Sequence, residues 1–233
     1  PSDDAQESYS YEIQSAGMFW DTGEYQEFAA STTAEKGDSW VYSVETVDNS
    51  LRVKFFMPTE DLSRHFVLKY VVRKAVVRHD DIAELYWKFW GEDSEMTVDS
   101  MRIKIHFPEG VSAEDLKVFA HGPLNGNILK ESGSLATMTI SQLPSHIMVE
   151  GRFLYPLSLL DPNGGRYAAG TAMDQIMAEE GRWAEDANYV RDHGGEVPPP
   201  PVYPWIGNVM LIIMVLFYGA FWFFLYRRFD KEP

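Results

Sequence analysis

The chain has 233 residues, 45% of them hydrophobic, which suits one or two compact domains and is too apolar for a disordered tail. Its 35 acids against 20 bases give a formal charge of −15, so there is no overall basic field for a phosphate backbone and nucleic acid is excluded as an expected partner. The absence of cysteine rules out a disulfide framework, a thiolate metal centre and a thiol nucleophile, without fixing the redox compartment.

The first fifty residues carry weak strand patterns at 8–13, 24–28 and 40–47. From residue 50 to 155 the dominant period is two. Leu51, Val53 and Phe55 alternate with polar neighbours, as do Phe66, Leu68, Tyr70 and Val72. Met101, Ile103, Ile105 and Phe107 alternate with Arg102, Lys104 and His106 until Pro108-Glu109-Gly110 ends the run. Further strands are predicted at 117–121, 128–131 and 135–140, the last two joined by a Ser132-Gly133-Ser134 hairpin loop, and at 147–155. Strands this short and closely spaced predict an antiparallel β-sandwich over residues 1–160, without internal repeats.

Asp161-Pro162-Asn163-Gly164-Gly165 reads as a surface turn. Residues 171–191 follow a helical period, with Met173, Ile176, Met177, Trp183, Ala184, Ala187 and Val190 on one broad face and an N-cap pattern at Thr171 and Asp174. This amphipathic helix is expected to pack on the β-domain, because its apolar stripe needs cover. Glu180 interrupts the stripe and needs a partner if buried, either Arg152 or Arg182. Residues 194–204, with Pro198 to Pro201 and Pro204, form a stiff spacer.

Residues 205–226 are 22 positions without Asp, Glu, Lys, Arg or His, and as a helix would reach roughly 33 Å, enough to cross a bilayer core of about 30 Å. A single transmembrane helix is therefore predicted. Arg227, Arg228 and Lys231 follow at once in 227–233, which predicts a cytoplasmic C-terminus and an N-terminal domain outside the plasma membrane. Removing the three bases and two acids after Tyr226 leaves the preceding chain at −16, an anionic ectodomain. Export of such a domain requires a signal peptide or an earlier span, so the chain is expected to be a fragment.

No GxSxG, HExxH, P-loop, GxGxxG or EF-hand pattern occurs, so no catalytic residue, cofactor or metal is assigned. His79-Asp80-Asp81 with Glu84 is the one local group of potential metal ligands, but neighbours along a strand point to opposite faces, and a solvated loop before a strand is the favoured reading. The stretch from Ile82 to Gly91 holds four large aromatics. In a strand, Leu85, Trp87 and Phe89 share the core face while Tyr86, Lys88 and Trp90 share the other. The second trio either packs under the helix or a loop, the favoured reading, or forms a ligand surface for sugar or peptide.

The blocks AVVRHDDIAELYWKFWGEDSE (75–95), MRIKIHFPEG (101–110), AHGPLNGNI (120–128) and DQIMAEEGRWAEDAN (174–188) resemble the YciQ-like bacterial predicted membrane protein family, domain of unknown function 2207. The resemblance runs from about residue 51 to 188. It implies an extracytoplasmic β-domain followed by a membrane helix, with no established activity to carry onto Asp81, Glu84, Trp87 or His121. Taken together, a binding, sensing or scaffolding module at the bacterial cell envelope is expected. Its partners would be the lipid bilayer and an envelope protein or glycan. The alternatives are an envelope glycan hydrolase with Asp81 and Glu84 as paired carboxylates, or a structural subunit of a membrane complex.

Overall fold

The computed structural model describes residues 10–47, 50–58, 63–198 and 204–229. The chain forms two compact units, 1–180 and 181–233, with the division inside a helix. The first unit opens with β1 (Ser10–Phe19), β2 (Tyr25–Glu27), β3 (Ala29–Ala30), β4 (Val41–Val47) and β5 (Ser50–Phe56). It continues with β6 (His65–Arg73), β7 (Val77–Arg78), β8 (Ala83–Trp90), β9 (Val98–His106) and β10 (Lys117–His121). After β11 (Asn127–Ser132), β12 (Leu135–Leu143), β13 (Val149–Tyr155) and β14 (Arg166–Tyr167) come the helices α1 (Met173–Asp192) and α2 (Pro204–Phe229).

The mainly antiparallel β architecture expected from the alternation is present, spread over four sheets among the described residues. β2-β1-β6 and β3-β4-β5 pack around Ala16, Met18 and Phe28, with Trp20, Trp40 and Phe55 against them. β10-β13-β8-β7-β14 and β11-β12-β9 enclose the larger core of Leu116, Met138, Leu143, Val149 and Phe153. Among the described residues only two short pairings, β3 with β4 and β14 with β7, are parallel. Two glycines allow close approach. A Cβ at Gly151 would lie 2.5 Å from the Phe153 ring, and one at Gly133, in the β11–β12 loop, would meet the Val111 carbonyl. A side chain at either would displace the core or the loop beside it.

Helix α1 begins at Met173, two residues later than the sequence pattern suggests. Its first two turns lie in the β-unit, where Ile176 is buried with Ile82 and Leu154 against Phe119 and Met173. Met177 and Trp183, expected within a covered stripe, stay exposed. The second unit carries the rest of α1 and α2. Leu211–Arg228 of α2 is long and apolar enough to cross a membrane, and its described side chains between Leu211 and Phe224 are exposed.

Candidate functional site

Strand β13 turns Phe153 into the sandwich core and, by the two-residue period, Arg152 to the opposite face, in register with Tyr86 of β8 and Phe119 of β10. Burying a guanidinium requires a partner for each polar edge. Arg152 donates through Nε to Glu84 Oε1 at 2.6 Å, and through Nη1 to Glu179 Oε2 at 2.7 Å and Glu180 Oε1 at 3.1 Å. Arg152, Glu84 and Glu180 are all buried. The guanidinium carbon also lies 5.1 Å from the centre of the Tyr86 ring, a cation–π contact.

Imidazoles and a phenol complete the cluster. His79 Nε2 lies 2.8 Å from Glu84 Oε2, and His121 Nε2 lies 2.9 Å from Glu180 Oε2. An ionised carboxylate only accepts, so both imidazoles donate there. Tyr86 donates its hydroxyl to Glu150 Oε2 at 2.8 Å, and Lys88 bridges Glu150 and Glu92. Burial and the Glu150 hydrogen bond push the Tyr86 phenol above its ordinary value. Burial disfavours the charge on Arg152, but the hydrogen bonds it donates to Glu179 and Glu84 outweigh that and raise the guanidinium's pKa. One guanidinium faces three carboxylates, those of Glu84, Glu179 and Glu180.

The chemistry of this arrangement is holding. Glu84 and Arg152 belong to the sheet, Glu179 and Glu180 to α1, and the ion pairs fasten the start of the helix to the strands. Arg152, not Arg182, satisfies Glu180, and β13 reaches it because its outward face lies under α1.

The residues singled out from sequence divide between this clasp and its surroundings. Tyr86 and Lys88 share one exposed face, as the alternation suggests. Trp90 leaves that face. The register steps from Lys88↔Glu150 to Trp90↔Val149, so Phe89 is an extra residue in a β-bulge, and both Phe89 and Trp90 pack on the larger core. Trp90 Nε1 is buried there without a hydrogen-bond partner among the described residues. Trp87 does not enter that core. It is half-buried beside a groove near β6 and β9.

The His79-Asp80-Asp81 run is occupied with structure. Asp80 accepts from Tyr167 Oη at 2.6 Å and Gly170 N at 2.9 Å, and Asp81 accepts from Ala172 N and Met173 N at 2.9 and 3.0 Å. Asp81 is thus the N-terminal cap of α1, in place of the Thr171–Asp174 pattern. Among the described residues no three His, Asp or Glu side chains are grouped to hold a metal. The sequence signal that points at the clasp is Glu180 on an apolar stripe, with Arg152 as one of its two candidate partners. Glu179, which the helical period puts on the acidic face opposite the stripe, is instead drawn to Arg152.

The family follows from the chain that builds these strands. The N-terminal domain of the DUF2207 predicted membrane proteins matches residues 2–155. The chain belongs to that family. No curated protein and no solved structure matches it. In this DUF2207 chain the matched stretch contains the sheet half of the clasp, Glu84, Tyr86, His121, Glu150 and Arg152, while Glu179 and Glu180 lie beyond it.

Proposed function

We propose that this DUF2207 chain is a non-catalytic, membrane-anchored module that binds, senses or scaffolds at the bacterial cell envelope, with its β-unit outside. The lipid bilayer would be one partner and an envelope protein or glycan the other. The observation that carries the reading is the clasp. The helix it fastens to the sheets is followed, after only 11 residues, by the apolar α2. A ligand that perturbs β8, β10 or β13 has the Arg152 cluster as its route to α1, and α1 is covalently continuous with the membrane helix. Glu84 is engaged by Arg152 and His79, and Asp81 by the helix start, so the carboxylates a hydrolase would need are committed to architecture. Arg227 and Arg228 in the last turn of α2 support a cytoplasmic C-terminus.

The lack of cysteine makes orientation directly measurable. Ser39→Cys, on an exposed loop, should react with a membrane-impermeant maleimide in intact cells, and Pro233→Cys should react only after lysis. The reverse pattern would sink the proposal.

A further inference from the structure

We infer that the wedge between β6 and β8 is a binding site for an extended, anionic peptide segment, which it takes up by strand addition along the open edge of β8. The wedge arises where one run of chain bends. β7 pairs with β8 only through Val77↔Glu84 and Arg78↔Ala83, and β6, three residues earlier, pairs instead with β1. Lys74 makes the bend in the left-handed region at φ 61°, and its carbonyl accepts from Arg166 Nε at 3.1 Å. Beyond Glu84, β8 therefore has β13 on one side and no strand partner on the other among the described residues.

The hydrogen-bond phase along β8 identifies the open groups. His79 N donates to Ile82 O at the turn between β7 and β8, so the antiparallel alternation aims the backbone groups of Glu84 at β7. Those of Tyr86 and Lys88 then face the side that β7 vacates. β6 and β9 are also terminal strands of their sheets, and both border the same gap. A long open edge is what an added strand pairs with.

The side chains state the chemistry of the guest. The groove holds about 330 Å³ and takes Tyr70 and Val72 from β6, Leu85, Trp87 and Phe89 from β8, and Lys104 and His106 from β9. This volume is at the small end of ligand sites, so the groove accommodates alternate side chains while the guest backbone runs outside along β8. Alternate residues of a strand stand about 6.8 Å apart, the repeat that separates Leu85 from Trp87 before the bulge at Phe89. Apolar guest residues at every second position would pack between them. Among the described residues of a chain with 35 acids, no carboxylate lines the groove and Lys104 forms no ion pair. An Asp or Glu of the guest would meet Lys104.

The inference deepens the reading of the β-unit as a binding module, and it is independent of membrane orientation. The full chain in nanodiscs would be used to select from a random eight-residue peptide library, with empty nanodiscs as the subtraction. We expect enriched peptides that alternate apolar residues and carry an acid, and that slow amide exchange of Tyr86 and Lys88. Lys104→Glu, an exposed change that spares folding, should weaken their binding at least tenfold, and Trp87→Ala should do likewise. Library peptides that fail to enrich, or that bind Lys104→Glu equally and leave the two amides unprotected, would overturn the proposal. So would dodecanoate binding at the groove without amide protection, which would reassign it to an anionic amphiphile. A wrong orientation would appear in the cysteine labelling and leave these outcomes unchanged.

Discussion

Arg152 carries more of the site than any other side chain, and its removal is the most informative single substitution. Arg152→Ala would leave Glu84 and Glu180 buried without their cation, a situation that costs about 3–5 kcal/mol in other buried pairs. Adding Glu180→Gln to Arg152→Ala should cost clearly less than the two single changes summed, because the carboxylate left stranded by the first change is neutralised by the second. Urea unfolding of the four proteins measures this, and strict additivity would mean that the two side chains do not act as a unit. Part of this was readable beforehand. A glutamate interrupting an apolar stripe implies a cation, and Arg152 was one of two nominated. Trp90 was not readable, because a one-residue bulge leaves no mark in the alternation until the partner strand is known, and its indole lands on the core instead of beside Lys88.

At the level of elements, α1 shows how a local rule gives way to a distant residue. Thr171 and Asp174 satisfy a capping pattern, yet the amides of Ala172 and Met173 go to Asp81, about ninety positions earlier in the chain. Sequence spacing contains no information about such a contact. The backbone hydrogen bonds hold the Asp81 carboxyl below its ordinary value, and the Tyr167 hydroxyl and the Gly170 amide do the same for Asp80. A carboxyl with a depressed folded-state pKa contributes stability above its unfolded value of about 3.9, and that contribution is lost as pH falls through the folded value. Acid should therefore loosen the Gly170–Met173 junction below about pH 4. Asp81→Ala should reproduce the loosening at pH 7, at about 1 kcal/mol for the lost cap. Hydrogen exchange of the Ala172 and Met173 amides reports both. If Asp81→Ala leaves their exchange unchanged, the cap is made elsewhere. The strands themselves were legible because period-two alternation needs only local information, and β5, β9 and β10 fall where it puts them.

For the molecule as a whole, α2 presents a separate energetic demand. Leu211, Leu216, Phe217 and Phe224 are each more than half exposed, so the helix needs an apolar medium that the described protein does not supply. Residues 205–226 include twelve Leu, Ile, Val and Phe, which at about 0.3–0.6 kcal/mol each favour insertion by roughly 4–7 kcal/mol. An arginine at the centre of a span costs about 3 kcal/mol and also forfeits the contribution of the residue it replaces. Leu216→Arg should therefore weaken insertion and still leave the chain in the membrane pellet after alkaline carbonate extraction. Ile213→Arg with Leu216→Arg costs about 6–7 kcal/mol, which offsets the whole gain and should move the chain to the supernatant. A double variant that stays in the pellet would show that something other than α2 holds this chain to the bilayer. Release of the single variant would instead mean that α2 inserts with a smaller margin than its twelve apolar residues supply.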